Sequence, residues 1–270
     1  MGGFSADWLA LREPSDFRAR SAALTRTVAG RFRHGSDFNV LDLGTGTGAN
    51  LRYLTTFFDV DGLRPRWLLV DHDSALLARV IAPPGVQVET RVLDLAGAFE
   101  PESRNLCGGR DLVTASALLD LVSARWLDGL AQRCLEAGAT VLFVLSYNGE
   151  IRCTPEEAED ELVRKLVNQH QRTDKGFGPA LGPDASAAAA NAFGSRGYHV
   201  RRERSDWVLA ADEGALQAQL IEGWAEAAEA IARDRASQLR GWKNRRLEHV
   251  AAGRSSLVVG HDDLAAWPQE

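Results

Sequence analysis

Apolar residues along this chain fall into short unbroken runs, separated by stretches with helical spacing. Residues 40–43, residues 67–70, "VQVETRVLDL", "DLVTASALLDLV" and "ATVLFVLSYNG" read as five strands. Between them, residues 50–58, "SALLARVIA" up to Pro83-Pro84, and residues 126–137 read as helices. Continuous apolar strands alternating with helices predict a parallel sheet covered on both faces. Ahead of the first strand a helix is predicted over 15–32. Phe17, Leu24, Val28 and Phe32 recur on one face, and Pro14-Ser15-Asp16 stands at its start.

After the fifth strand the rhythm changes. Thr154-Pro155-Glu156-Glu157 has the form of a capping box with Pro at the first helical position. "RTDKGFGPALGPD" is dense in Gly and Pro and predicts a long loop. An Ala-rich helix over 184–195 follows. Then come a sixth strand, "YHVRRERSDWVL", helices over 212–232 and 235–252, and a last strand, "SSLVVGH". The expected organisation is one domain over 1–270. Residues 1–34 are an N-terminal helical segment and candidate lid. Residues 150–183 are an insertion and loop, a candidate substrate cover.

The chemistry collects where strands end. "VLDLGTGTGANL" runs from a buried strand through three glycines into a helix. A helix N-terminus facing a strand end is a ready polar-ligand site, and glycines let a ligand approach the backbone closely. Gly44-Thr-Gly46-Thr-Gly48-Ala49 also matches the dinucleotide fingerprint, with Asp71 lying 22 residues beyond Ala49. Asp42 separates the two ligands. A carboxylate just before the glycines repels a pyrophosphate and welcomes a ligand carrying ammonium and sulfonium charges.

With those residues in view, "VLDLGTGTGANL" resembles the Asp-x-Gly-x-Gly-x-Gly motif of class I S-adenosylmethionine-dependent methyltransferases. Asp71 in "LLVDHD" is similar to that family's acid after strand two, Asp94 in "VLDL" to its acid after strand three, and "DLVTASALLDLV" to its fourth strand. The resemblance covers about 39–147. It implies a Rossmann-like, doubly wound α/β fold with a seven-stranded, mostly parallel sheet, the last strand antiparallel. Helical insertions would follow strand five and precede the last strand. It implies S-adenosylmethionine as cofactor. Gly44, Gly46 and Gly48 would pass under the methionine part, with Asp42 near its ammonium. Asp71 would accept the ribose hydroxyls and His72 would lie against the adenine. Asp94 would accept the adenine amino group beside the Leu95 backbone, and Ser116 would approach the methionine part. If the N-terminal helix closes over the cofactor, Arg12, Arg18 or Arg20 would pair with the methionine carboxylate, Arg20 being the candidate carried forward.

In an open parallel sheet, ligands bind beyond the carboxyl ends of the strands. All the strand-end residues above fall there, as do Asp120, Tyr147 and Asn148. Asp120, Tyr147 and His170 are the candidate catalytic residues, with Asp174 and Lys175 nearby. Relatives often place His where Asp120 stands, so an inherited base role does not transfer to it. Trp207, Trp224, Trp242 and Trp267 read as packing anchors before they read as an aromatic pocket.

Composition narrows the partners. The net charge of −6 argues against a general nucleic-acid binder. The basic stretch "RDRASQLRGWKNRR" reads first as a solvated helix face. Cys107, Cys134 and Cys153 have no metal-site spacing and read as reduced thiols. The N-terminus lacks a signal-peptide pattern, the myristoylation pattern fails at Ala6, and no apolar run is long enough to span a bilayer. The expectation is a cytoplasmic enzyme with a small-molecule substrate, transferring a methyl group to an O, N or C nucleophile. The competing readings are an NAD-dependent oxidoreductase, which leaves Asp42 and Asp94 unexplained, and a non-catalytic binding module on the same fold.

Overall fold

The computed structural model describes residues 5–99 and 106–269. Five strands, β1 (Asp37–Leu43), β2 (Arg64–Asp71), β3 (Gln87–Val92), β4 (Leu112–Ser116) and β5 (Thr140–Thr154), pair in parallel in the order β3-β2-β1-β4-β5. The C-terminal strands complete the sheet. β8 (Ser256–Pro268) runs antiparallel between β5 and β6 (Tyr198–Arg204), and also pairs with β7 (Trp207–Leu209). This is the expected α/β architecture with its antiparallel last strand. The sheet has eight strands because the sixth is broken at Ser205-Asp206. There the ladder gives way to local bonds: Ser205 N–H donates to the His261 carbonyl, and His261 N–H donates to Asp206 Oδ1.

The two faces are packed separately, as the pleat requires. Val40, Trp67 and Leu69 feed one core with helices α2 (Ala22–Ala29), α3 (Ala49–Val60), α6 (Asp160–Gln171), α8 (Gly214–Ile231) and α9 (Ala236–Ala251). Leu41, Leu43, Leu68 and Val70 feed the other with α5 (Ala124–Ala137) and α7 (Ala185–Gly194). α6 and the α8–α9 pair are the predicted insertions after β5 and before the last strand. Among the described residues no helix is long and apolar enough to cross a membrane.

Four local expectations change. The helix predicted over 15–32 is two helices, α1 (Ala6–Ala19) and α2. Arg20 between them is extended, and Ser21 caps α2 by accepting from Leu24 N–H while its own N–H donates to the buried carboxylate of Asp263. Tertiary bonds at Ser21 outweigh the helical periodicity. The helix in "SALLARVIA" is only α4 (Ser74–Leu77) and unwinds before the double proline, whose ring disfavours helix at the preceding residue. β5 continues past Gly149 to Thr154, where it pairs with Ser256, so the capping-box residues close a strand. α6 instead starts at Asp160, whose carboxylate accepts from Glu157 N–H and from Trp242 Nε1. β8 runs on to Pro268, well past "SSLVVGH".

Candidate cofactor and acceptor site

Strand order reverses between β1 and β4, and the crevice beyond their carboxyl ends is where such sheets bind ligands. Gly44, Gly46 and Gly48 turn the chain there with φ of 64°, 55° and 82°, a region that costs glycine nothing and other residues about 1 kcal/mol or more. The last of them caps α3. A side chain at Gly46 would meet Leu9 of α1 at 3.0 Å, and one at Gly44 would meet Leu118. The loop is therefore covered closely from both sides.

Asp42 is buried beneath this loop. Its carboxylate accepts from Thr45 Oγ1 at 2.5 Å and from Asn50 Nδ2 at 2.6 Å. Asn50 in turn donates to Thr114 Oγ1 and accepts from Arg20 Nη1 at 2.9 Å. Burial pushes the Asp42 carboxyl up to about 6, against the opposing pull of these hydrogen bonds and of Arg20. Arg20 lies 3.7 Å above the Tyr53 ring. Its Nε and Nη2 are buried and have no partner among the described residues. A guanidinium with two open donors is the geometry that takes a carboxylate in bidentate fashion. Of the three arginines considered, Arg12 is bound to Asp16 and Arg18 to Glu213; among the described residues, only Arg20 of the three has buried donors without a partner.

Asp71 ends β2 and is almost fully buried. It accepts from Gly46 N–H at 2.8 Å and from Asp73 N–H at 3.0 Å, so it fixes the glycine loop from the neighbouring strand. His72 is exposed, with Nδ1 3.3 Å from the Asp71 carboxylate. Asp94 is exposed, its carboxylate accepting from Ala96 N–H. The Leu95 carbonyl is taken by Trp126 Nε1 at 2.6 Å, which holds the segment against α5. Ser116 ends β4, and Ala117 after it adopts a φ of 51°, turning the chain toward Asp120. Asp71, Asp94 and Ser116 fall at or just beyond the carboxyl ends of β2, β3 and β4.

A second group lies beyond β4 and β5. Asp120 is buried, and its Oδ1 has no partner among the described residues. Burial pushes its carboxyl to about 6, opposed by backbone N–H groups and by the charges of Arg12 and Lys175. Tyr147 is buried beside it and donates its hydroxyl to Asn168 Oδ1 at 2.7 Å; burial raises its pKa well above that of free tyrosine. The loop after α6 docks here. Leu181 N–H donates to the Val122 carbonyl and Gly182 N–H to that of Asp120. His170 is half-buried at the end of α6, with Lys175 Nζ 3.3 Å from its Nδ1; burial and that charge lower its pKa. Its polar contact is thus with the loop, one step outside Asp120 and Tyr147.

One residue here was invisible in the sequence. His261 on β8 stands opposite Tyr147 in the ladder, rings 6.3 Å apart, and 5.0 Å from the Trp207 ring. It is buried, and its Nδ1 has no partner among the described residues. No motif announces it; the pairing of Tyr147 with the last strand is what would have found it. Trp207, Trp224 and Trp242 are core residues, as the packing reading expects.

No protein-family model matches the chain. No curated protein matches it either. Solved structures do. Cyclopropane synthase MmaA2 from Mycobacterium tuberculosis aligns over 98% of this chain and 94% of its own, at 13% identity and a TM-score of 0.50. The mycolic acid cyclopropane synthase CmaA1, complexed with SAH and CTAB, aligns over 97% and 94% at 11% identity, TM-score 0.51. A putative type II methyltransferase from Anaeromyxobacter dehalogenans aligns over 92% and 97% at 18% identity, TM-score 0.50. The chain has the Rossmann-like fold of class I S-adenosylmethionine-dependent methyltransferases.

Proposed function

We propose that the chain is an S-adenosylmethionine-dependent methyltransferase acting on a small molecule in the cytoplasm as a single domain. The observation that carries this reading is Arg20. It is a buried guanidinium with two open donors, held by Asn50 and Asp42 at the mouth of a glycine loop. A carboxylate fits it, and the glycines leave room for the rest of the amino-acid part. Asp71 serves the ribose hydroxyls and His72 the adenine face, while Asp94 and Leu95 meet the adenine edge and Ser116 the methionine part. The fold neighbour complexed with SAH supports the same ligand class. Reduced thiols suit the cytoplasm, with Cys107 and Cys134 in contact as thiols at 4.0 Å.

When bound, the cofactor supplies a methyl group on a sulfonium, whose carbon–sulfur bond breaks with its electron pair going to sulfur as the acceptor's lone pair forms the new bond. The chain's own residues do the rest. α1 covers the glycine loop, tied there by Glu13 to Arg52 at 2.6 Å, and excludes water. Asp120 takes the acceptor's proton on Oδ1. A carboxyl titrating near 6 is poised for this at neutral pH. Its charge also disfavours a carboxylate as acceptor, which would need no base. Tyr147, its hydroxyl engaged by Asn168, positions the acceptor with its ring. His170 and Lys175 form the outer rim on the loop that covers the site.

The test is calorimetric titration with S-adenosylmethionine, S-adenosylhomocysteine and NADH in parallel. The expected result is micromolar binding of both adenosyl ligands and none of NADH. NADH binding alone would hand the site to an oxidoreductase. Silence from all three would favour a binding module.

A further inference from the structure

Beyond Asp120, the acceptor corner holds a second orphaned group. Asp120 Oδ1 and His261 Nδ1 are both buried and, among the described residues, both without a partner. An unpaired buried polar atom is costly to the fold, so two of them beside one residue point to a ligand. Both adjoin Tyr147, whose backbone N–H bonds the Asp120 carboxylate. Tyr147 feels the charge of Asp120 and stands opposite His261 across the β5–β8 ladder. Arg12 acts electrostatically on both Asp120 and His261.

The position of His261 is built in detail. Gly260 before it lets β8 press against the bulged part of β5, since a side chain there would collide with Asn148 and Glu150. Trp207 backs the imidazole from β7 and is pinned by donating to Asp16 Oδ1 at 3.1 Å. Burial holds the imidazole neutral, pushing its pKa down to about 3. It is therefore a hydrogen-bonding group and not a cation.

The charges around the space balance. Arg12 and Lys175 disfavour a cationic ligand, and Asp120 and Asp16 disfavour an anionic one. Tyr147 and His261 offer two ring faces. Resting on the methyltransferase reading, we propose that His261 and Asp120 are the two polar walls of the acceptor pocket, and that it takes a neutral planar ring bearing an N–H or O–H group. The ring lies against Tyr147 and His261. His261 Nδ1, carrying its proton, donates to a lone pair of the ring's hydroxyl oxygen, or to a second polar atom where the reacting group is an N–H. Asp120 Oδ1 accepts the N–H or O–H proton, the electron pair of that bond staying on the acceptor atom as its new bond to the methyl carbon forms. The proton leaves on a neutral Asp120 carboxyl, and the cofactor leaves as its thioether.

The test is ligand-observed NMR at pH 8 on protein saturated with S-adenosylhomocysteine, using phenol and indole as neutral rings and benzoate and benzylamine as charged controls. Phenol and indole are expected to bind at least tenfold more tightly than either control. His261→Phe, which keeps a ring and loses the nitrogens, is expected to weaken phenol at least tenfold. His261→Asn, which keeps a polar atom near Nδ1, should restore it to within about threefold. All variants should bind S-adenosylhomocysteine within twofold of the parent. Equal or tighter binding of benzoate or benzylamine, or unchanged phenol affinity in His261→Phe, would overturn the proposal. If S-adenosylhomocysteine itself fails to bind, the methyltransferase reading falls, and the ring panel on the protein alone still decides this pocket.

Discussion

Asp42 and Asp120 are both buried carboxylates pushed to about 6 by desolvation, yet their surroundings differ. Asp42 spends both oxygens, on Thr45 and Asn50, and through Asn50 it orients Arg20. Asp120 leaves Oδ1 without a partner. Similar titration therefore hides different jobs. The cofactor corner is prepaid with internal hydrogen bonds, so its acid shapes the site from beneath. The proposed acceptor corner leaves its acid open, at a cost to the folded chain. An unsatisfied buried group is a better pointer to chemistry than a shifted pKa, because the shift reports burial and the missing partner reports purpose.

The largest expected effect lies in the cofactor corner. Asp71→Ala removes the acceptor of Gly46 N–H and, in the proposed complex, that of the ribose hydroxyls. Hydrogen bonds to a charged group contribute about 1.5–3 kcal/mol each, so affinity for S-adenosylmethionine should fall on the order of 10²–10⁴-fold. Calorimetry measures this, with circular dichroism showing that the fold is kept. Unchanged affinity would remove Asp71 from the site.

Asp120→Asn should have the opposite signature. S-adenosylmethionine affinity stays within about twofold, while turnover falls on the order of 10²–10⁴-fold, the range for losing a general base. For the parent enzyme, kcat/KM for the acceptor should rise tenfold per pH unit below about 6 and level off above it, as Asp120 ionises. A parallel loss of cofactor affinity in Asp120→Asn would merge the two corners into one.

Much of the cofactor corner was legible because it is local. Gly44 to Gly48 need positive φ, and Asp42, Asp71 and Asp94 each follow an apolar run, so strand-end chemistry shows in a window of a few residues. The acceptor corner was legible only in part, because it is assembled across the sheet. Asp120 and Tyr147 could be named as strand-end residues, but His261 acquires meaning only when β8 pairs with β5. The break at Arg20 was hidden for the same reason. Its cause is Asp263, which accepts from Ser21 N–H across 242 positions of sequence. Helical periodicity is a local signal, and a buried carboxylate from the last strand overrides it. The capping box at Thr154 failed likewise, since Ser256 claims Thr154 for the sheet.

Stability against pH separates the two acids again. Each carboxyl titrates near 3.8 when unfolded and near 6 when folded, so between about pH 4 and 6 the native state binds more protons. Stability therefore falls as pH rises through that window, by about 3 kcal/mol per group at 1.36 kcal/mol per unit, and is level above it. Asp120→Asn removes that cost and should stabilise the protein at pH 8 by up to about 3 kcal/mol, with little change at pH 4. Asp42→Asn removes the same cost but gives up the charge-assisted bonds from Thr45 and Asn50, so its stabilisation at pH 8 should be smaller than that of Asp120→Asn by about 1–3 kcal/mol. Urea melts at both pH values measure the difference. Stabilisation of both variants alike would mean that the hydrogen bonds around Asp42 do not set its role.

The smallest effect concerns α1, which touches both corners. Glu13 ties it to Arg52 beside the glycine loop, and Asp16 ties it to Trp207 behind His261. Trp207→Phe keeps an aromatic ring against His261 and removes only the indole N–H. Asp16 retains Arg12, bound at 2.9 Å, so its charge stays paired. The loss should be about 1–2 kcal/mol of stability, the worth of one hydrogen bond to a charged group with some packing lost. If the corners are separable, hydrogen exchange should quicken in the C-terminal half of α1 and the acceptor KM should rise a few-fold, while S-adenosylmethionine affinity holds. If cofactor affinity drops by the same factor as acceptor affinity, α1 moves as one rigid cover. The difference between Asp42 and Asp120 would then concern the sheet edge alone and not the roof above it.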